Sequence, residues 1–349
     1  MGYCPTTAIG NVKPNQPTLP HQTRALGAKL LTLVAAIVLG GCATAPESEL
    51  TLEPTPSPEP TTSPASPPSL KVVTTIAPMT QFTQAVAGER AEVVQLIPSN
   101  VGIHDFQAKP RDVETIARAD VLVQNGVGLE TFLTDLIRNA ANPDLTIVEA
   151  SEGIPTVSSP DPGEESHTED DQGHHHSHGG VNPHLWLDPV RAITQVENIR
   201  QGLVAADPQG QEIYEANAAT YIQALKDLNQ ELGALLSPYA GQTFITFHDF
   251  AVYFAQRYGL RVEFLVEVPE LSPSPQDLDR IISLIKAENI RALLTEPSAG
   301  KESLSALAQD LQLEISVFDP LENGDPAPET YFQIMRQNAE NIANALSSN

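Results

Sequence analysis

Residues 211–236 read QEIYEANAATYIQALKDLNQELGALL, and this stretch decides the architecture. Apolar side chains fall at Ile213, Ala216, Ala219, Tyr221, Ile222, Leu225, Leu228, Leu232, Leu235 and Leu236. That spacing follows a helical period, and only Gly233 interrupts it. One helix of about seven turns is expected.

On either side the pattern changes to short β-branched runs alternating with helical ones. Before the helix, strands are expected from Lys71 to Ile76, Ala91 to Ile97, Asp120 to Gln124 and Leu145 to Val148. Helices are expected from Pro78 to Ala87, Pro110 to Arg118 and Leu129 to Ala141, and another opens at Asp188-Pro189 and runs to Ala206. An Asp N-cap followed by Pro in the first turn is a strong helix start. After the long helix, strands are expected over Thr243 to Phe247, Arg261 to Glu267, Arg291 to Thr295 and Glu314 to Phe318. Helices lie between them, and a last one runs from Pro328 to Leu346. Such alternation predicts βαβ units and parallel sheets. The expected fold class is therefore α/β: two lobes of parallel sheet flanked by helices, joined by one long rigid helix. The lobes are placed at 70–208 and 237–349, with the connecting helix at 209–236. In open parallel sheets ligands collect beyond the carboxyl ends of the strands, so chemistry is sought just after strands, in the cleft between lobes.

The 69 residues ahead of the first strand read as an address and a tether. Residues 1–42 contain no Asp or Glu, and Lys13, Arg24 and Lys29 precede the apolar run from Leu30 to Leu39. A basic flank, an apolar core and small residues after it make a secretory signal peptide over 1–41. Leu39-Gly40-Gly41-Cys42 has the form of a bacterial lipobox, which makes Cys42 the lipidation site and leaves a membrane anchor at the new N-terminus. Residues 42–69 are crowded with Pro, Ser and Thr. Proline fixes φ and removes donors, so this segment is expected to be an extended spacer.

The whole chain has 349 residues, with 19 Lys+Arg against 44 Asp+Glu and a formal net charge of -25. That balance argues against nucleic acid as a partner, because phosphate neutralisation needs clustered cations. The only cysteines are Cys4 and Cys42, ahead of the expected fold, so no cysteine nucleophile or Cys-based zinc site is available.

Three histidines lie at informative places in the expected fold: His104 after the second strand, His184 in Asn182-Pro183-His184-Leu185-Trp186-Leu187-Asp188-Pro189, and His248 directly after the strand from Thr243. Asp319 directly follows the last strand, before Pro320. Imidazoles and a carboxylate converging across a cleft would make a closed four-coordinate site suited to Zn²⁺, although Asp-Pro is also plain turn chemistry. Glu296, at the end of a strand beside Pro297, can orient a ligand imidazole, cap a helix or face solvent. Trp186, the only tryptophan, is expected in the core, and Asp249 is expected to cap the helix after His248. Residues 151–180 break the periodicity with Asp161, Glu164, Glu165, Glu169, Asp170 and Asp171, and with His167, His174, His175, His176 and His178. They are expected to form a mobile loop offering several weak metal sites.

Asn182 to Pro189, and Thr246-Phe247-His248-Asp249 through Tyr253-Phe254 and Arg257-Tyr258-Gly259-Leu260, resemble the signature segments of the metal-binding lipoproteins of bacterial ABC importers. Asn125-Gly126-Val127-Gly128-Leu129-Glu130 supports the likeness. The resemblance covers about Leu70 to Leu346 and implies a non-enzymatic capture protein with a metal site in the cleft. Its first three ligand positions fall on His104, His184 and His248, and the fourth on Asp319. The chain departs from the family pattern at Gly102-Ile103, where Asp-Pro is usual, and at Gln107, where Glu is usual. Asp319 or water is then left to complete the shell. His248 stands where manganese members usually carry Glu, and three imidazoles suit Zn²⁺ better than Mn²⁺. The implied partners are Zn²⁺, an ABC permease with its ATPase, and the membrane through the lipid. The location is periplasmic or extracytoplasmic, and the state monomeric. The competing readings are a manganese-binding relative, an adhesin-like metal-buffering lipoprotein and, more distantly, a zinc metallohydrolase, for which the sequence supplies no His-Glu-x-x-His pair.

Overall fold

The computed structural model describes residues 70–103, 105–158, 180–269, 271–297 and 299–347. The signal segment, Cys42 and the tether therefore lie outside the described residues, as do His104 and the histidines at 167, 174, 175, 176 and 178. Strands β1 (Leu70–Thr74), β2 (Ala91–Gln95), β3 (Val121–Gln124) and β4 (Thr146–Glu149) form one sheet in the order β2-β1-β3-β4. Strands β5 (Thr243–His248), β6 (Arg261–Val266), β7 (Ala292–Thr295) and β8 (Ile315–Val317) form a second, ordered β6-β5-β7-β8. Every pairing is parallel. Both sheets reverse direction of travel after their second strand, which puts a topological switch point between β1 and β3 and between β5 and β7.

The helices are α1 (Ala77–Ala87), α2 (Pro110–Ala117), α3 (Leu133–Ala140), α4 (Pro189–Ala206), α5 (Gln211–Leu236), α6 (Val252–Tyr258), α7 (Pro275–Glu288), α8 (Lys301–Leu311) and α9 (Pro328–Ser347). The long helix has the expected bounds, but its buried face runs through Tyr214, Ala218, Tyr221, Ile222, Leu225, Leu228, Leu232 and Leu236. Ile213 and Leu235 face solvent instead. A helical stripe spans little more than a third of the circumference, so apolar residues at its edges fall outside it.

The first lobe is not closed off from the second at α5. Helix α9 returns from the second sheet to pack on α1 and α5. The rings of Phe82 and Tyr331 meet edge to face at 5.1 Å, and the Tyr221 hydroxyl donates to the Pro328 carbonyl at 3.1 Å. One apolar cluster runs from Val72 and Ile76 through Leu225 and Leu228 to Phe244, Phe318 and Leu346.

The segment 182–188 is the second bridge between the sheets. Asp188 caps α4 by accepting from Val190 N at 2.9 Å. The same buried carboxylate takes two parallel hydrogen bonds from Arg257 on α6, at 2.7 and 2.8 Å, and one from Arg191. Trp186, fully buried, donates from its indole nitrogen to the Pro320 carbonyl at 2.8 Å and accepts at its own carbonyl from the Tyr331 hydroxyl at 2.7 Å.

Two local differences from expectation have clear causes. Helix α3 begins at Leu133 rather than Leu129 because Glu130 folds back into the turn before it. Its buried carboxylate accepts from Asn125 N and the Thr75 hydroxyl, both at 2.7 Å, and from Gly126 N at 3.0 Å. Burial pushes this carboxyl up, and the three hydrogen bonds oppose that shift. Gly126, Val127 and Gly128 all have positive φ there, and a Cβ on Gly126 would run into Glu149. The second difference lies in 151–180. Residues 151–158 are held against the fold, because Ile154 is buried against Leu185 and Tyr253 and Val157 N donates to the Tyr253 hydroxyl at 3.0 Å.

Replacing Asp188 with Ala should cost about 3 kcal/mol, since it strips the partner from two arginines and removes a helix cap. The urea unfolding midpoint reads this, and a loss below about 1 kcal/mol would contradict the bridging role.

Candidate metal centre

His248 is the last residue of β5, and Glu296 is the first residue after β7. These neighbouring strands flank the switch point of the second sheet, so the two side chains meet there. Glu296 Oε1 lies 2.7 Å from His248 Nδ1. A carboxylate only accepts, so the Nδ1 hydrogen is committed to it and Nε2 is the nitrogen turned into the pocket. The helix-capping and solvent readings of Glu296 are thereby replaced by an orienting one.

His184 enters from the 182–188 bridge. Its Nδ1 lies 3.0 Å from Asn182 Oδ1, and its backbone nitrogen donates to the same oxygen at 3.1 Å. Its Nε2 points the same way as that of His248, and the two ring centroids are 5.4 Å apart. Trp186 packs edge-on against His184 at 5.2 Å, and Phe250 against His248 at 4.9 Å. Trp186 is thus both core and wall of the site.

The sequence reading placed Asp319 in the fourth ligand position. In the structure its Oδ1 accepts from Leu321 N at 2.8 Å, shaping a turn. Asn338 of α9 holds the same residue by its backbone on both sides, at 2.9 and 2.8 Å. Burial and the nearby charges of Glu322 and Glu296 push the Asp319 carboxyl up. The carboxylate facing the imidazoles belongs to Glu322. Its Oε1 is 2.9 Å from His184 Nε2 and 3.6 Å from His248 Nε2. Leu321, just before it, has φ of 63°, a left-handed conformation that a branched side chain adopts at a cost and that recurs at functional turns. The available signal was the turn chemistry of Asp319-Pro320: an Asp that folds onto the backbone two residues on leaves the next acidic residue to do the facing.

Among the described residues, His184, His248 and Glu322 are one group whose ligand atoms all lie within 4.8 Å of one another, and all three are buried. The Glu322 turn is tied to the first lobe as well. Gly324 N donates to the Ser99 carbonyl at 3.0 Å, and Gln81 of α1 donates to the Asp325 carbonyl at 2.9 Å. Ser99 lies on the stretch that leads from β2 toward position 104. The N-cap position of α6 is Ala251. The Asp249 carbonyl accepts from Asn182 Nδ2.

The electrostatics couple the imidazole of His248 to the carboxylates around it. Burial alone would lower the pKa of His248, but the carboxylates of Glu296 and Glu322 outweigh it and push the imidazole up to about 10. Burial alone would raise Glu322, but the hydrogen bond with His184 and the nearby charge of His248 hold it well below the usual carboxylate range. Among the described residues His248 Nε2 has no hydrogen-bond partner. A buried polar nitrogen without a partner is costly, and a divalent ion would satisfy it.

The family model described as ZnuA, zinc-uptake complex component A, periplasmic, matches residues 72–345. The chain belongs to the ZnuA family. This family is that of an uptake component, not of an enzyme. Zinc-binding protein AdcA of Streptococcus pyogenes is 31% identical over 287 residues, covering 78% of this chain and 55% of that protein. High-affinity zinc uptake system protein ZnuA of Bacillus subtilis is 32% identical over 282 residues, covering 79% of this chain and 88% of the relative. The crystal structure of Zn(II)-bound AdcA from Streptococcus pneumoniae has a TM-score of 0.67 at 27% identity, covering 80% of this chain and 58% of that one. The chain thus spans about half the length of the AdcA relatives it matches. The ZnuA architecture accounts for the two parallel sheets and the long helix.

In the metal-free protein the two carboxylates favour the charged form of His248. Its folded pKa lies above its unfolded value of 6.5, so its stabilising contribution is complete below about pH 6.5 and fades as pH rises toward 10. An NMR titration of the metal-free protein should place its midpoint near 10. A midpoint in the ordinary histidine range would refute the carboxylate pairing.

Proposed function

We propose that this chain captures Zn²⁺ outside the cytoplasmic membrane and hands it to an ABC permease. The observation that carries the reading is the convergence of two imidazole Nε2 atoms and one carboxylate within 4.8 Å in a buried pocket. Each imidazole has its other nitrogen already engaged. This is how protein ligands of zinc are commonly oriented. The proposed ligands are His184, His248 and Glu322, with His104 as the fourth on the ground of the sequence resemblance. Nitrogen donors with one carboxylate, in a dry four-coordinate setting, favour Zn²⁺ over the harder Mn²⁺. The relatives named for zinc support the same choice. A lipid on Cys42 would anchor the protein, residues 43–69 would hold it off the surface, and a permease with its ATPase would receive the ion. The histidines at 167, 174, 175, 176 and 178 would hold further zinc weakly, within a strongly acidic stretch.

Zinc must displace the Nε2 proton of His248, so binding releases a proton. Affinity should therefore fall as the solution is acidified, by up to about tenfold per pH unit from this proton alone. Competition with a chelator over a pH series measures it, and a pH-independent affinity would refute it. In the same assay His104→Ala, His184→Ala, His248→Ala and Glu322→Ala should each weaken the tight site by about a hundredfold or more. Wild-type affinity in His184→Ala and His248→Ala together would reject the cleft as the site. Deleting residues 161–178 should lower the zinc bound at saturation while sparing the tight site. Unchanged stoichiometry would remove the accessory role.

A further inference from the structure

Val157 and Asn182, 25 positions apart in the sequence, touch. Asn182 N donates to the Val157 carbonyl at 3.0 Å. The hydroxyl of Tyr253, on α6, completes the junction. It accepts from Val157 N at 3.0 Å and donates to the Asn182 carbonyl at 2.7 Å. Tyr253 is fully buried among Ile154 and Leu185, and the Arg191 guanidinium stands 4.6 Å over its ring. A buried phenol needs partners for its oxygen, and this one spends its donor and an acceptor position on the two ends of a single chain excursion.

Asn182 carries the effect onward. Its Nδ2 donates to the Asp249 carbonyl at 2.5 Å. A carbonyl only accepts, so this contact fixes which end of the amide is oxygen. The Oδ1 end then faces both the backbone nitrogen and Nδ1 of His184. With both ends of the amide engaged, the side chain cannot turn independently. The direction of the His184 ring therefore follows the position of the Asn182 backbone, and the hydroxyl of Tyr253 sets that position from the second lobe.

We propose that Tyr253 is a positioning residue for the metal site. Acting through Asn182, its hydroxyl aims His184 Nε2 at the point shared with His248 and Glu322, and it keeps that aim independent of the chain between 157 and 182. The inference rests on the reading that His184 ligates the ion. Deleting 161–178 leaves Val157, Asn182 and Tyr253 in the chain, which is why that deletion should spare the tight site.

Tyr253→Phe tests this, because it keeps the ring and its packing and removes only the oxygen. In the full-length protein, zinc affinity measured against a chelator should fall about tenfold, the scale of losing an outer-shell partner, with the change in the dissociation rate. The visible spectrum of the Co²⁺-loaded protein, a readout that fold stability alone does not move, should shift. In an Asn182→Ala background, Tyr253→Phe should cost no further affinity, since its route is gone. Wild-type affinity and an unchanged Co²⁺ spectrum in Tyr253→Phe would overturn the proposal. So would an equal cost in both backgrounds. Should Asn182→Ala fail to fold, the dissociation rate and Co²⁺ spectrum of Tyr253→Phe still decide. If His248→Ala loses the tight site while Tyr253→Phe matches wild type, only this inference fails. If His184→Ala and His248→Ala also match wild type, the metal-site reading fails with it.

Discussion

The whole arrangement depends on imidazoles whose outer nitrogens are already taken. Asn182 engages Nδ1 of His184 and Glu296 engages Nδ1 of His248. With those nitrogens committed, both Nε2 atoms turn inward, and Glu322 is the only carboxylate placed to meet them together among the described residues. In the metal-free protein the meeting is a charged one: an ionised Glu322 against a protonated His248. A divalent cation in place of that proton would leave the Asn182 and Glu296 contacts as they are.

The fold makes this possible by bringing three distant stretches to one place. The switch point of the second sheet supplies His248 and Glu296 from adjacent parallel strands. The 182–188 bridge supplies His184 while its Asp188 and Trp186 fasten it to α6 and to the Pro320 carbonyl. The turn after β8 supplies Glu322 and is tied to the first lobe through Ser99 and Gln81. A core that runs through α5 and α9 resists wide separation of the sheets, so the movable parts are turns at the rim. The first sheet uses its own switch point differently: there Glu130 and Thr75 pair with each other and close a turn.

Much of this was legible in the sequence because the signals were periodic or local. The period of 211–236, the Asp188-Pro189 start of α4 and the alternation that follows Thr243 each depend on nearby residues alone. His184 and His248 stand out in the sequence because they sit beside strand ends and in recognisable segments, and the fold brings the two together. The sequence did not single out Glu322, because the turn preference of Asp319-Pro320 is a weak signal for which of the two acidic residues turns to the backbone and which turns inward. Glu130 delayed α3 for the same kind of reason: a side chain satisfied buried backbone donors at the expense of the helix. Neither choice is written in a periodicity.

X-ray absorption at the zinc edge of the loaded protein tests the central claim most directly. A first shell of nitrogen and oxygen at about 2.0–2.1 Å, with the outer-shell scattering of at least two imidazoles, is the result this arrangement predicts. An all-oxygen shell, or a spectrum unchanged when His184 and His248 are both replaced by Ala, would contradict it.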